Sequence, residues 1–437
     1  MLRLIITTIF VAVMASAQTL VVQHARLIDG NGGTPIEDSA LVVEDGRITY
    51  AGPFAGAAIP SGAQVMNMQG KTIVPGIINA HGHIGLTKDL KQDQANYTRA
   101  NVIKNLQIYA SYGVTTTTDM GPSLDAILEY REQRNKGEFD GARVLTAVHG
   151  FTAVDGYPTR VAGVKGIAHE VASPEQARKL VDELADAGAD LIKMWVDTHH
   201  GEYPKLAPEI RTAIIQEAAR RGIVSFAHVY ELADAKQLAA AGVRILGHSV
   251  RDAEADDELI SLLLKGDVTY IPTVMREAGT YMYGTKAPWM DDPYFTRSLT
   301  ANEIQALKTT FKAAQANPEL QREGASDLAM AMKNVKILHE AGIPIGFGPD
   351  TGPPGRFAGF FEHLEAEKLV EAGLTPMEVI VAWSKTNSRA LGIEEDFGTL
   401  ETGKVADFLI LNANPLDDMK NARAIHRVYM DGKRFRW

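Results

Sequence analysis

Residues 189–250 decide how this chain folds. They read "ADLIKMWVD" (189–197), "PEIRTAIIQEAARRG" (208–222), "IVSFAHVY" (223–230), "LADAKQLAAAG" (232–242) and "VRILGHSV" (243–250). Three strand-like apolar runs alternate with two helical patterns. Each helical pattern stops at a glycine, Gly222 or Gly242, where a helix C-terminus is expected. Strand–helix–strand alternation of this kind builds a parallel sheet.

The same rhythm extends in both directions. Upstream lie "TIVPGIINAHGH" (72–83), "GVTTTTDM" (113–120), "ARVLTAVHG" (142–150) and the helical "PEQARKLVDELADAG" (174–188). Downstream lie "VTYIPTV" (268–274) and "IPIGFGPD" (343–350). Eight strands with intervening helices predict an α/β fold, a (β/α)8 TIM-like barrel over 73–389. A doubly wound open sheet fits less well, because no G-x-G-x-x-G follows the first strand.

The two ends differ from the middle. "TLVVQHARLIDG" (19–30) and "SALVVEDGRITYAG" (39–52) read as strands with an Asp45-Gly46 hairpin turn. "ADFLILN" (406–412) and "IHRVYMDGKRF" (425–435) repeat the pattern, with a second Asp-Gly turn at 431–432. Residues 18–72 and 390–437 are therefore expected to form one small composite β-sandwich domain.

Before that domain, Arg3 precedes the apolar run "LIITTIFVAVM" (4–14) and the small-residue site "ASA" (15–17). This pattern predicts a signal peptide over 1–17, cleaved after Ala17, and a secreted or periplasmic protein. The run is too short to span a bilayer comfortably, so no membrane association is expected after cleavage. The 437 residues carry a net charge of −10 and no cysteine. The charge gives no footing for a nucleic-acid partner, and the missing thiols exclude cysteine nucleophiles and thiolate metal ligands. A small-molecule substrate is the expected partner, with a homo-oligomer left open.

In a barrel of this class the active face lies at the strand C-termini. Strand one ends in His81 and His83, strand five in His228, strand six in His248 and strand eight in Asp350, while strand four carries Lys193. Alternation along a strand puts His81 and His83 on one face, Trp195 beside Lys193, and Tyr230 beside His228. Singly, each histidine reads more readily as a hydrogen-bonded core residue; together at strand ends they read as metal ligands. Imidazole and carboxylate donors without sulfur suit Zn, Mn, Ni or Fe, with Zn the default. Lysine is the odd member. An apolar strand disfavours its ammonium, and a neutral amine can add carbon dioxide to become a carbamate able to bridge two metals.

"VPGIINAHGH" (74–83), "IKMWVD" (192–197), "AHVY" (227–230), "GHS" (247–249) and "GPDTG" (348–352) together resemble the amidohydrolase superfamily. The likeness runs through the tail "GTLETGKVADFLILNANPLDD" (398–418) and is strongest to the secreted imidazolonepropionase-like branch with its prolidase-type dipeptidases. It implies two divalent metal ions. His81, His83 and Asp350 would hold one, His228 and His248 the other, and Lys193, as N6-carboxylysine, would bridge them with a hydroxide. It further implies Asp350 as proton shuttle and Tyr230 as the group that steadies the scissile carbonyl.

One departure stands out. Relatives often carry a "GGHP"-like segment after strand three; here it is "FTAVDGYPT" (151–159), with Tyr157 in place of the histidine. Tyr157, His149, Trp195 and Arg251 are the candidate substrate contacts. The expected function is an exported binuclear amidohydrolase acting on an N-acyl amino acid or dipeptide-like substrate. A lactone, ester or organophosphate hydrolase on the same site is the nearest alternative, and a non-catalytic exported binding protein the alternative of another class. A serine-hydrolase elbow at "GHSV" (247–250), with Ser249 as nucleophile, lacks the final glycine, which is Arg251 here. His199 and His200 read as a solvated loop, His24 and His426 as structural in the terminal sheet, His339 as a helix residue before strand eight, and His363 either as support behind the site or as packing. The aromatic stretch "TYMYGTKAPWMDDPYF" (280–295) reads equally as a lid or as packing. Glycines 82 and 85 read as leaving backbone room for the ions.

Overall fold

The computed structural model describes residues 19–284, 287, 289–315 and 317–437. Strands one to seven of the ring are Ile77–Asn79, Val114–Asp119, Arg143–Thr146, Leu191–Val196, Val224–Val229, Ile245–Gly247 and Thr269–Ile271. Strand four pairs in parallel with strand five from Leu191↔Val224 to Val196↔Val229. Every residue of strand four is buried, as a strand covered on both faces must be. The predicted helices form where their caps allow. Helix Pro174–Ala187 begins at Ser173, whose side chain accepts from Gln176 N–H, and ends at Gly188 with φ 90°. It buries Ala177, Val181 and Leu184, one stripe at helical spacing.

Two junctions close the ring. Asp190 N–H donates to Thr146 O (2.9 Å), joining strands three and four. Residues 345–351 supply strand eight. Gly346 N–H donates to Tyr270 O (2.9 Å) on one side, and Ala80 N–H donates to Phe347 O (3.0 Å) on the other. This is the TIM-like barrel that the alternation predicts. No helix among the described residues is long and apolar enough to cross a membrane.

Both chain ends meet in one mixed eight-stranded sheet. Strand Thr72–Pro75 runs parallel to the end of strand Leu20–Leu27 and antiparallel to strand Phe408–Leu411. Its core gathers Val22, Val43, Ile73, Phe408 and Ile410, with Phe408 stacked on Tyr429 at 4.5 Å. Signal residues 1–17 lie outside the described residues.

Arg143 fastens this sheet to the barrel. From strand three its guanidinium reaches Asp407 (2.8 Å) and Asp431 and lies over the Phe397 ring (4.0 Å). Asp407 is buried, so removing the arginine strands a carboxylate inside the protein. Arg143→Ala is expected to lose about 3 kcal/mol of stability, read as a shift in urea midpoint.

Candidate metal centre

Strands one and eight deliver their polar ends side by side. Asn79 Oδ1 accepts from His81 N–H (2.9 Å), and Asp350 N–H donates to His81 O (2.9 Å). The side chains then converge. His81 Nε2 lies 3.3 Å from Lys193 Nζ and 3.7 Å from Asp350 Oδ1, and His83 Nε2 lies 2.9 Å from the same oxygen. The His248 ring is 4.6 Å from that of His81 and 4.1 Å from that of His228. All six residues expected as ligands thus meet at one end of the barrel. His248 and Asp350 have φ of 72° and 59°, left-handed backbone that side-chain-bearing residues rarely adopt. Such strain persists only where surrounding structure fixes it, and it clusters at functional sites.

Burial governs the electrostatics. It pulls Lys193 down to about 7, so much of the amine is neutral near physiological pH. Burial holds His228 down to about 3, and His81 and His248 well below the ordinary histidine value. These imidazoles are therefore neutral, with lone pairs available. For Asp350, burial pushes upward, but the Arg356 guanidinium and a hydrogen bond from His83 outweigh it and keep the carboxyl ionised.

Several residues at this centre went unread in the sequence. Asp197, at the end of strand four, accepts from His228 Nε2 (2.8 Å) through one oxygen and from His199 N–H (2.7 Å) through the other. Asp197 shares the parity of Lys193 and Trp195, so the signal was available. His199, expected in a solvated loop, instead packs against Tyr157 with the two rings tilted by 34° and their centroids 3.9 Å apart. Asp197, His199 and His228 form a second cluster of potential ligands beside that of His81, His248 and Asp350. Arg276, from helix Val274–Gly284, and Arg356, from the loop after strand eight, both flank Asp350. No motif marks either arginine.

A cavity opens onto this cluster, lined by His81, His83, Tyr157, Trp195, Arg276 and Arg356 among others. Two of the four candidate substrate contacts, Tyr157 and Trp195, therefore face it. His149 bonds Asp125 (2.9 Å), and Arg251 is buried against Glu277 (3.2 Å) beneath the Tyr230 ring. Neither is among the residues lining the cavity. The Tyr230 hydroxyl donates to Asp327 (3.3 Å). Ser249 is fully buried and donates to Pro272 O (3.1 Å), which leaves it no exposed nucleophilic position.

Of the remaining histidines, His24 bonds Asp38 (2.8 Å) and His339 lies 3.5 Å from Glu378. His426 is exposed on the terminal sheet, and His363 is buried against Tyr112 O (2.9 Å). In the aromatic stretch, Trp289 and Phe295 pack into a buried cluster with Phe360, while the side chains of Tyr281 and Tyr283 lie outside the described residues. Gly82 does not make room for ions: a Cβ there would sit 2.8 Å from Thr117 Oγ1, so its space serves packing against strand two. Gly85 likewise packs on Tyr97.

The donor set suits divalent cations. It combines neutral imidazoles, one ionised carboxylate and a buried amine, and His81 Nδ1 is buried with no hydrogen-bond partner. Apolar packing would not assemble such a group, because each buried polar atom without a partner is destabilising.

Comparison with known proteins agrees. The family model described as "Amidohydrolase family" matches residues 72–435. Ochratoxinase of Aspergillus niger is 23% identical, with 96% of this chain and 87% of that protein aligned. Imidazolonepropionase of Micrococcus luteus is 22% identical, covering 95% and 96%. The crystal structure of a Xaa-Pro dipeptidase with methionine bound in its active site superposes with a TM-score of 0.75 at 20% identity, over 96% of this chain and all of that one. The chain belongs to the amidohydrolase family, whose members generally use divalent metals, and is a hydrolase of carbon–nitrogen bonds.

Proposed function

We propose that this chain is an exported binuclear hydrolase that cleaves an amide-type bond in an N-acyl amino acid or dipeptide-like substrate. The observation that carries this reading is the convergence of His81, His83, Lys193, His228, His248 and Asp350 at one end of the barrel. His81, His83 and Asp350 would hold one cation, His228 and His248 the other, and Lys193, as N6-carboxylysine, would serve both. Zinc is the metal that best suits these donors. When bound, the two cations supply an activated water and Lewis-acid polarisation of the scissile carbonyl.

The protein's own groups do the rest. Asp350 accepts a proton from the attacking water and returns it to the leaving nitrogen. Asp197 accepts a hydrogen bond from the Nε2–H of His228, which fixes the tautomer and leaves the ring's lone pair on Nδ1. Tyr230 steadies the carbonyl oxygen once its hydroxyl turns from Asp327. For the chain's own start, cleavage after Ala17 predicts a mature N-terminus at Gln18, which sequencing of the exported protein checks.

Chelation tests the centre directly. Dialysis against a chelator is expected to abolish hydrolysis of N-acyl amino acids and to lower the melting temperature. Each site at roughly 100 times its Kd contributes about 2.7 kcal/mol to stability. Returning zinc should restore both, with two equivalents bound per chain. Activity retained at well under two equivalents would overturn the binuclear reading. A screen that finds lactones or phosphotriesters cleaved, and acyl amino acids untouched, would overturn the choice of bond.

A further inference from the structure

Glu362 is fully buried in helix Phe360–Glu371, which follows strand eight. Its Oε1 accepts from Asn79 Nδ2 (2.7 Å) and from Thr351 Oγ1 (2.8 Å). Both partners are buried and both adjoin the metal centre in the chain, Asn79 two residues before His81 and Thr351 directly after Asp350. Asn79 turns its Oδ1 to His81 N–H (2.9 Å), and its amide nitrogen also lies 3.2 Å from Thr351 Oγ1. Thr351 O accepts from His83 N–H (2.7 Å). With the Thr351 proton on Glu362, the Tyr109 hydroxyl donates to Thr351 Oγ1 (2.7 Å). One carboxyl thereby joins strands one and eight through the side chains that flank their ends.

Packing alone asks for no acid here. Burial pushes Glu362 up to about 7, and an apolar side chain of similar size would avoid that penalty. The other fully buried acid of this helix, Glu365, accepts from Val274 N–H (2.9 Å) and Met275 N–H (2.6 Å) and does not reach Asn79. What Glu362 holds is a strained junction. Strands one and eight meet at an isolated bridge, Gly82↔Thr351, and Asp350 beside it has φ 59°. A left-handed aspartate stays in place only where its neighbours fix it. Resting on the binuclear reading above, we infer that Glu362 is a positioning residue for the metal centre. Through Asn79 and Thr351 it sets the distance between the histidines of strand one and Asp350.

The test uses the full chain, metal-free and loaded with cobalt, whose visible spectrum reports the geometry of its donors. Glu362→Leu removes the acceptor. Glu362→Gln keeps a carbonyl oxygen toward Asn79 and Thr351 and loses no bond at Oε2, which has no hydrogen-bond partner. The leucine variant should bind cobalt roughly 10–100-fold more weakly, with an altered spectrum. Its metal-free urea midpoint should not fall, and glutamine should restore affinity and spectrum. Wild-type affinity and spectrum in the leucine variant, or a glutamine variant no better than leucine, would overturn the inference. If the leucine variant does not fold, Thr351→Val replaces it, with the same loss expected and wild-type binding again the overturning result. Crystal structures of the metal-free proteins read the role without any cation. The separation of His81 Nε2 from Asp350 Oδ1, 3.7 Å here, should change by more than about 0.5 Å in the variant, and an unchanged separation overturns the inference. A wild type that binds no cobalt, together with a shifted separation in the variant, would overturn the metal-centre reading and leave the positioning role standing.

Discussion

Asp350→Asn is expected to lower kcat/KM by about 10³-fold, equivalent to about 4 kcal/mol of transition-state stabilisation, while the chain stays folded. Asparagine keeps the shape of the side chain and one acceptor oxygen. It loses the negative charge that His81, His83 and Arg356 surround, and it cannot carry a proton at neutral pH. The backbone anchor from Asp350 N–H to His81 O does not involve the side chain, so the junction of strands one and eight should survive. Kinetics on an N-acyl amino acid, circular dichroism and metal analysis on one preparation separate these effects. A fully active variant would remove Asp350 from the proton path.

Lys193→Met makes the second large prediction. Lys193 is completely buried, with its amine 4.2 Å from the Phe226 ring centroid and 3.3 Å from the His81 Nε2 imidazole nitrogen. Burying an amine there is unfavourable unless the group has work to do. Methionine fills similar volume without the polar atom, so the metal-free variant should be at least as stable as the metal-free wild type. Activity should nevertheless fall on the order of 10²–10³-fold, the scale seen when one preorganised charge-stabilising group is lost. Bound metal should drop below two equivalents per chain. An ordinary structural lysine would give the opposite pair of results, lower stability and unchanged metal content.

The barrel was legible because its signals are local. Gly188, Gly222 and Gly242 end helices where they were expected to, and the buried runs at 191–196 and 224–229 are strands in register. The six residues that converge at the barrel's end were legible because strand parity and strand ends are sequence properties. Strand eight is subtler: residues 345–351 join the ring through isolated bridges rather than a continuous ladder. Asp197 followed the same parity and was simply not counted. Arg276 and Arg356 could not be read that way. They sit beyond strands seven and eight, and only the packing of those connections brings them to Asp350. Tyr157 and His199 likewise meet from two separate loops, and their ring contact has no counterpart in sequence spacing.

The terminal sheet also sets an order of events during synthesis. Strand 72–75 leads through Gly76 directly into the barrel strand that carries His81 and His83, and its antiparallel neighbour is 408–411. Arg143 similarly waits for Asp407 and Asp431. Strand 72–75 is therefore completed by residues 408–411, and a growing chain keeps that side of it without its partner until those residues have been made. Contacts so distant in sequence make the final closure slow, and the active centre inherits that delay.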